Sequence, residues 1–266
     1  MTSEVSRDGV VLVGCGRLGS AMLEGWLATG AVAASDLIIL SPSEKPAAEA
    51  ARAKGARINP PLDLLRLAKT VVLAVKPAMW RDALTPLVPY LNPEAVLVSV
   101  MAGVRAEDLL AVAGRPVARV MPTTAVAQAK GVAAVWSGDG RALRAAQALF
   151  HPVADVTGLD DEALMDAATA VAGSAPAFIY AFVQALAEAG VAEGLSVEAA
   201  AGLARGALRS AGAGLETGEG LEALIARIAS PGGTTRAGLE AMADGGDMSR
   251  AAQAAVRAAV DRARRL

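Results

Sequence analysis

The chain has almost no cysteine and almost no histidine: one of each, Cys15 and His151, in 266 residues. A single cysteine excludes an internal disulfide and fits a reducing compartment. No second His or Cys exists to build a zinc site with either residue, so no metal is expected. His151 precedes Pro152 at a helix end, where a capping or surface role suits it. An excess of charge of one sign is also missing. The formal net charge is −2, and no long basic run appears. Arg257, Arg262, Arg264 and Arg265 fall at a predicted helix C-terminus, where cations complement the dipole. They read as a solvated helix end, and no nucleic-acid partner is expected.

An apolar leader is absent as well. Met1 to Asp8 is polar, so no secretory signal is expected and the location reads as cytoplasmic. There is no internal repeat and no Pro/Gly-rich linker. One segment, Ala167 to Ala187, lacks charge and is long enough to span a bilayer. It is mostly Ala and holds Gly173, Ser174, Pro176 and Gln184, so a buried or interfacial helix is expected and a membrane is not. Hydrophobic residues make up 54% and charged residues 20%, which excludes disorder and allows a large core.

What is present begins with Val10–Val13, a short apolar run entering Gly14-Cys15-Gly16-Arg17-Leu18-Gly19. This is a G-x-G-x-x-G turn between a strand and a helix, the form of a dinucleotide site. Gly14 permits the tight turn, Gly16 lets backbone approach a pyrophosphate, and Gly19 lets the helix pack against the strand. The N–H groups at the helix start would face the diphosphate. Cys15 matters here for its backbone N–H more than for its sulfur.

Strands and helices then alternate. Helices are expected at Arg17–Thr29, Glu44–Lys54, Met79–Tyr90 (broken near Pro86 and Pro89), Arg105–Ala113 and Gly140–Phe150. Strands are expected at Asp36–Leu40, Ala56–Ile58, Thr70–Val75, Ala95–Val100, Pro116–Met121 and Gly131–Trp136. The alternation implies an α/β, Rossmann-type, doubly wound parallel sheet with its ligand at the carboxyl ends of the strands. After Gly158 strand-like runs stop and Ala-rich helices take over. Two domains follow, residues 1–158 and residues 159–266. In the second, Ala175–Ala189 carries Ile179, Phe182, Val183 and Leu186 on one face, with Gly190 as its stop. Ser196 reads as an N-cap. The loop Ser230-Pro231-Gly232-Gly233-Thr234-Thr235 precedes another helix.

The end of the second strand bears on the cofactor. An NAD site carries Asp or Glu about 20 residues past the glycine turn. Here Leu40-Ser41-Pro42-Ser43 stands there, and no carboxylate comes before Glu44. Ser41 and Ser43 leave room for a 2′-phosphate and can donate to it, and Lys45 or Arg17 can supply charge. NADPH is therefore expected, with NADH possible.

Five segments in order resemble pyrroline-5-carboxylate reductases: Gly14–Ala21 with Gly25-Trp26-Leu27, Leu73–Pro77, Ser99–Val104, Gly173–Phe178 and Ser230–Leu239. The resemblance covers nearly the whole chain, and the last segment is its most specific part. It implies NAD(P)H-dependent reduction of the cyclic imine 1-pyrroline-5-carboxylate to L-proline. It also implies an all-α dimerisation domain and a homodimer or ring of dimers. By the same resemblance Ala74, Val75, Lys76 and Pro77 line the cofactor, Ala102 and Gly103 lie near the nicotinamide, and Asn59 reaches the cofactor ribose. Ser230, Gly232, Gly233, Thr234 and Thr235 would hold the substrate, with Thr235 donating to the imine nitrogen or an ordered water. The residues support this: a Gly-Gly-Thr-Thr helix start is a concave set of N–H groups that suits a carboxylate. A protonated C=N accepts hydride readily, so alignment and exclusion of water are the main tasks. Thr123 and Ala175 depart from the family pattern, and Arg17-Leu18 replaces its commoner Asn-Met. A related imine or carbonyl reductase, or a non-catalytic NADPH-binding protein, are the alternatives. A β-hydroxyacid dehydrogenase would need a lysine shortly after Gly173, and none is there.

Overall fold

The structure is a computed structural model and describes residues 9–265. The polar stretch Met1–Asp8 lies outside the described residues. One compact unit runs to Gly173 and takes in the chain again from Ala259; the other is Ser174–Ala258. The first unit thus continues past residue 158, where the strand pattern of the sequence stops.

In the first unit the elements are β1 (Val10–Val13), α1 (Arg17–Thr29), β2 (Leu37–Leu40), α2 (Pro46–Ala53), β3 (Arg57–Ile58), β4 (Thr70–Leu73), α3 (Trp80–Leu84), β5 (Val96–Ser99), α4 (Ala106–Ala113), β6 (Val117–Pro122), β7 (Gly131–Ser137), α5 (Gly140–Phe150), β8 (Ala154–Gly158) and α6 (Met165–Ala168). The strands form one sheet in the order β3-β2-β1-β4-β5-β6-β7-β8. From β3 to β6 all pairs are parallel. Strand order reverses direction between β1 and β4, so the crevice of a doubly wound sheet opens at their carboxyl ends. Every residue of β1, β4 and β5 is buried, as expected for apolar strands covered on both faces.

The sheet departs from the parallel expectation at one edge. β6 and β7 are antiparallel, and β8 is parallel to β7. Between β6 and β7 the chain has one short 3₁₀ stretch, Thr124–Gln128, and a parallel crossover needs a dozen or more residues. β8 is a further strand that the sequence pattern hides. Its Asp155, Thr157 and Gly158 are exposed, so it lacks the apolar run that marks the inner strands. Strand β4 ends at Leu73, because Ala74 and Val75 turn into the loop before Pro77. Pro86 and Pro89 hold Thr85–Tyr90 as 3₁₀ helix rather than α-helix.

The packing on one sheet face centres on α1. Trp26 is fully buried, meets Phe150 edge-to-face at 6.3 Å between ring centroids, and donates its indole N–H to the Leu149 carbonyl at 2.9 Å. Arg119 on β6 is also buried. Its Nη1 donates to Glu162 Oε1 at 3.0 Å, and the same oxygen accepts the Ala106 N–H at 2.7 Å. Glu162 thereby caps the start of α4 while pairing with a buried cation.

In the second unit α7 (Ala175–Ala192), α8 (Val197–Leu215), α9 (Leu221–Ile228) and α10 (Thr234–Ala243) follow, and α11 (Asp247–Ala263) begins there. Thr169–Ser174, just ahead of α7, is a π-turn, next to Pro176, which has no N–H to give the ladder. α7 does not stop at Gly190. That glycine is a packing position: a Cβ there would lie 3.2 Å from Leu195 Cδ1 and 3.5 Å from Ala200 Cβ. The chain breaks instead at Gly194, with φ +96°. Ser196 caps α8 by accepting the Ala199 N–H.

Trp26→Phe keeps the ring packing and leaves the Leu149 carbonyl without its donor. We expect a loss of about 1–3 kcal/mol in urea denaturation, and no loss would show that the indole hydrogen bond contributes nothing.

Candidate functional site

The turn after β1 is fixed from two sides. The Gly14 N–H donates to Leu40 C=O at the end of β2, and the Ala74 N–H after β4 donates to Val13 C=O, each at 2.8 Å. Gly14 has φ +96°, and a Cβ there would lie 2.8 Å from the Ala74 carbonyl oxygen. At Gly19 a Cβ would collide with the Gly14 carbonyl oxygen. Gly16 is different: nothing lies within 4 Å of where its Cβ would be. Two glycines are thus required by the protein itself, while Gly16 borders open space. The first α1 bond is Ser20 N–H to Gly16 C=O, so the N–H groups ahead of it have no partner within the helix. No side chain caps this end, and it is free to meet an anion.

This turn forms one wall of a cleft of about 560 Å³. The structure brings Gly14, Cys15, Gly16, Ser41, Ser43, Asn59, Ala74, Val75 and Lys76 to its lining. Arg17, Leu18 and Gly19 lie in the first turn of α1, Pro77 in the 3₁₀ turn after Lys76, and Ala102 and Gly103 in the turn between β5 and α4; none of these lines the cleft. The sequence pattern did not single out Met79, Ala83 and Leu87, which also line it. They supply an apolar side, and their only signal in the sequence is membership of a broken helix.

The end of β2 is tightly bonded. Ser41 is 5% exposed. Its N–H donates to Asn59 Oδ1 at 2.9 Å, its carbonyl accepts Asn59 Nδ2 at 2.8 Å, and its Oγ donates to Ser43 C=O at 2.8 Å. Ser43 is exposed and Lys45 half-buried. Among the described residues no carboxylate lines the cleft. The glycine cradle, the open space at Gly16 and the carboxylate-free end of β2 fit a dinucleotide carrying a 2′-phosphate.

In the second unit, Ser230–Gly233 is a turn closed by Gly233 N–H to Ser230 C=O at 3.1 Å, with Gly232 at φ +70°. Pro231 and a positive-φ glycine in the middle positions mark it as type II. Arg236 Nη2 donates to Ala229 C=O at 3.3 Å and ties the loop to the helix it opens. The N-cap of α10 is Gly233, without a side-chain cap bond. The first ladder bond is Ala237 N–H to Gly233 C=O, which leaves the N–H groups of Thr234, Thr235 and Arg236 without helical partners. Among the described residues neither the Thr234 nor the Thr235 hydroxyl has a hydrogen-bond partner, so neither is used up in capping. Thr123, by contrast, accepts the Val132 N–H at 3.1 Å and is engaged in the β6–β7 connection. His151 is exposed, and among the described residues no cluster of His, Cys, Asp and Glu could hold a metal.

A Rossmann-type cleft with a glycine cradle defines a dinucleotide-binding protein. A family model described as pyrroline-5-carboxylate reductase dimerisation matches residues 162–266, and one described as NADP oxidoreductase, coenzyme F420-dependent, matches residues 9–103. The pyrroline-5-carboxylate reductase of Pisum sativum is 34% identical over 88% of this chain and 87% of its own length. The chain belongs to the pyrroline-5-carboxylate reductase family. Among solved structures, the enzyme of that name from Coxiella burnetii superposes with a TM-score of 0.87 at 24% identity, covering 97% of this chain and 98% of the other. The pyrroline carboxylate reductase of Plasmodium falciparum, with NADP bound, gives 0.79 at 24% identity over 98% of each chain.

The family match also bears on the uncharged stretch. Glu162–Ala192 is long and apolar enough to cross a membrane, and only 6% of its apolar window is buried. Of the two expectations, a buried or an interfacial helix, the low burial leaves the interfacial one. Ile179, Phe182 and Leu186 are 47%, 51% and 46% exposed, and they lie inside the region matched as a dimerisation domain.

Gly16→Ala and Gly19→Ala separate the two roles of the turn. Gly16→Ala should leave the unfolding free energy within about 0.5 kcal/mol while weakening NADPH binding in a fluorescence titration. Gly19→Ala should lower stability itself, by about 1–3 kcal/mol. The reverse pattern would contradict the close approach at Gly19.

Proposed function

We propose that the protein reduces 1-pyrroline-5-carboxylate to L-proline with NADPH in the cytoplasm, the last step of proline synthesis. The observation that carries this reading is the Ser230–Thr235 helix start with both threonine hydroxyls unpartnered, in a chain of this family. Residues 1–158 serve as the dinucleotide domain, and residues 159–266 as the substrate and dimerisation domain.

In this reading the first turn of α1 binds the pyrophosphate through the N–H groups of Arg17, Leu18 and Gly19. Ala74, Val75, Lys76 and Pro77 hold one side of the cofactor, with Ala102 and Gly103 near the nicotinamide. NADPH, when bound, supplies the hydride. The free N–H groups of Thr234 and Thr235 and the Thr234 hydroxyl would meet the substrate carboxylate, with Ser230, Gly232 and Gly233 setting the turn that presents them. The Thr235 hydroxyl donates to the imine nitrogen or to an ordered water beside it. No further acid–base dyad is required: a hydrogen bond at the imine nitrogen makes the C=N carbon electrophilic, the nitrogen takes its proton through that donor or the ordered water as hydride arrives, and holding the reacting carbon in place accounts for most of the acceleration. Among the described residues no Asp or Glu lines the cleft at the end of β2, which supports NADPH over NADH.

The exposed apolar face of α7 supports a homodimer, and a ring of dimers is the assembly proposed for the whole. Light scattering is expected to give at least twice the chain mass, and Phe182→Asp to shift it toward a single chain. A monomeric parent protein would contradict this.

The activity is tested by following NADPH oxidation with 1-pyrroline-5-carboxylate, with NADH and a six-membered cyclic imine as comparisons. Turnover of the five-membered imine is expected to be fastest. NADPH binding without oxidation by any imine would overturn the reading. Thr235→Ala should lower kcat by about 10²-fold, with partial recovery in Thr235→Ser; unchanged kcat would remove the hydroxyl from the reaction.

A further inference from the structure

We propose that Asn59 is a positioning residue for cofactor choice. It shapes the 2′-phosphate side of the cleft by clamping the backbone of Ser41, and it does not act by touching the nucleotide. This deepens the NADPH reading above and rests on it.

Asn59 follows β3, and its N–H is fixed to Ile39 C=O on β2 at 2.9 Å. Its φ is +44°, and among the described non-glycine residues only Ala129 shares a positive φ. Asn is one of the few residues that tolerates this conformation. The conformation places the amide edge-on to Ser41. Oδ1 takes the Ser41 N–H and Nδ2 gives to the Ser41 carbonyl, so both polar atoms of one backbone residue are held by one side chain. The pairing needs a donor and an acceptor at the tip of a two-bond stem. Asp lacks the donor, Gln is longer by one methylene, and Ser offers a single oxygen.

The clamp changes what Ser41 can do. Its hydroxyl hydrogen is committed to Ser43 C=O, so the oxygen retains only acceptor capacity and offers no hydrogen to a phosphate. Ser41 is thus an organiser of the turn, and Ser43 and Lys45, which also line the cleft, are left to meet the phosphate. Neither side chain has a partner among the described residues. The chain of command runs from Asn59 through Ser41 to the placement of Ser43 and Lys45. A phosphate at that place, where a doubly wound fold recognises the ribose, depends on this turn; a cofactor with a bare 2′-hydroxyl depends on it less.

Two variants and two readouts test the assignment. Asn59→Gly keeps the left-handed backbone and removes both bonds. Asn59→Asp keeps the acceptor, loses the donor and adds charge. Calorimetry measures binding of 2′,5′-ADP and of 5′-AMP, and steady-state assays give kcat/KM for NADPH and for NADH. For Asn59→Gly, 2′,5′-ADP affinity and the NADPH:NADH ratio are expected to fall by about fivefold or more, through KM, with a larger fall in Asn59→Asp. Equal losses for both nucleotides would overturn the proposal, because they mean that Asn59 contacts the part the two share. A lower melting temperature with unchanged ratios would also overturn it, as that assigns Asn59 to folding alone. If the parent protein turns over no imine, the proposed function fails, and the two calorimetric titrations still decide this inference.

Discussion

The closeness of α1 to β1 is the constraint on which the nucleotide end of the sheet depends. A side chain at Gly19 would run into the Gly14 carbonyl, and one at Gly14 would run into the backbone of Ala74. Removing both side chains lets α1 start directly above the ends of β1 and β4. That is where the strand order reverses and where a crevice must open. The helix N-terminus, with no side-chain cap, then starts at the glycine turn that lines the cleft. Trp26, further along the same helix, anchors it to Leu149 and Phe150.

The second half repeats the same physics. At Gly233 a helix again begins without a side-chain cap, behind a turn that only a glycine at φ +70° completes easily. The starts of α1 and α10 both lack a side-chain cap; in the proposed function the first meets a diphosphate and the second a carboxylate. An enzyme for a cyclic imine bearing a carboxylate needs little else, because the electrophile brings its own reactivity. The scarcity of histidine and the single buried cysteine are consistent with such a site.

Much of this was legible in the residues. Arg17–Thr29 and Gly140–Phe150 stand out because a glycine turn, or Asp139 capping, marks their starts. The inner strands announce themselves through β-branched, uncharged runs such as Thr70–Leu73. The edge of the sheet was not legible in the same way. Ala154–Gly158 alternates polar and small residues at an exposed margin, and hydrophobic runs cannot report a strand that buries little. The reversed direction of β7 was encoded only in the length of its connection. Gly190 misled because a glycine that permits close packing looks, in sequence, like one that ends a helix. Gly14–Gly19, Ser41–Ser43 and Ser230–Thr235 were each readable as local motifs within their own unit. The pairing of Asn59 with Ser41, and of Arg119 with Glu162, was not. Each joins residues 18 or more positions apart whose meeting is a property of the folded sheet, although a lone arginine in the apolar strand Val117–Pro122 is a signal that a buried partner must exist.

The central claim is that this chain moves a hydride from NADPH to the imine carbon of 1-pyrroline-5-carboxylate. The direct measurement uses NADPH deuterated at C4 of the nicotinamide, with the label on the transferable face established by using each stereoisomer in turn. The account predicts that one stereoisomer yields proline carrying a single deuterium at the ring carbon that is bonded to nitrogen and lacks the carboxylate, read by mass spectrometry and proton NMR. Proline without deuterium from both stereoisomers, or no proline at all, would contradict it.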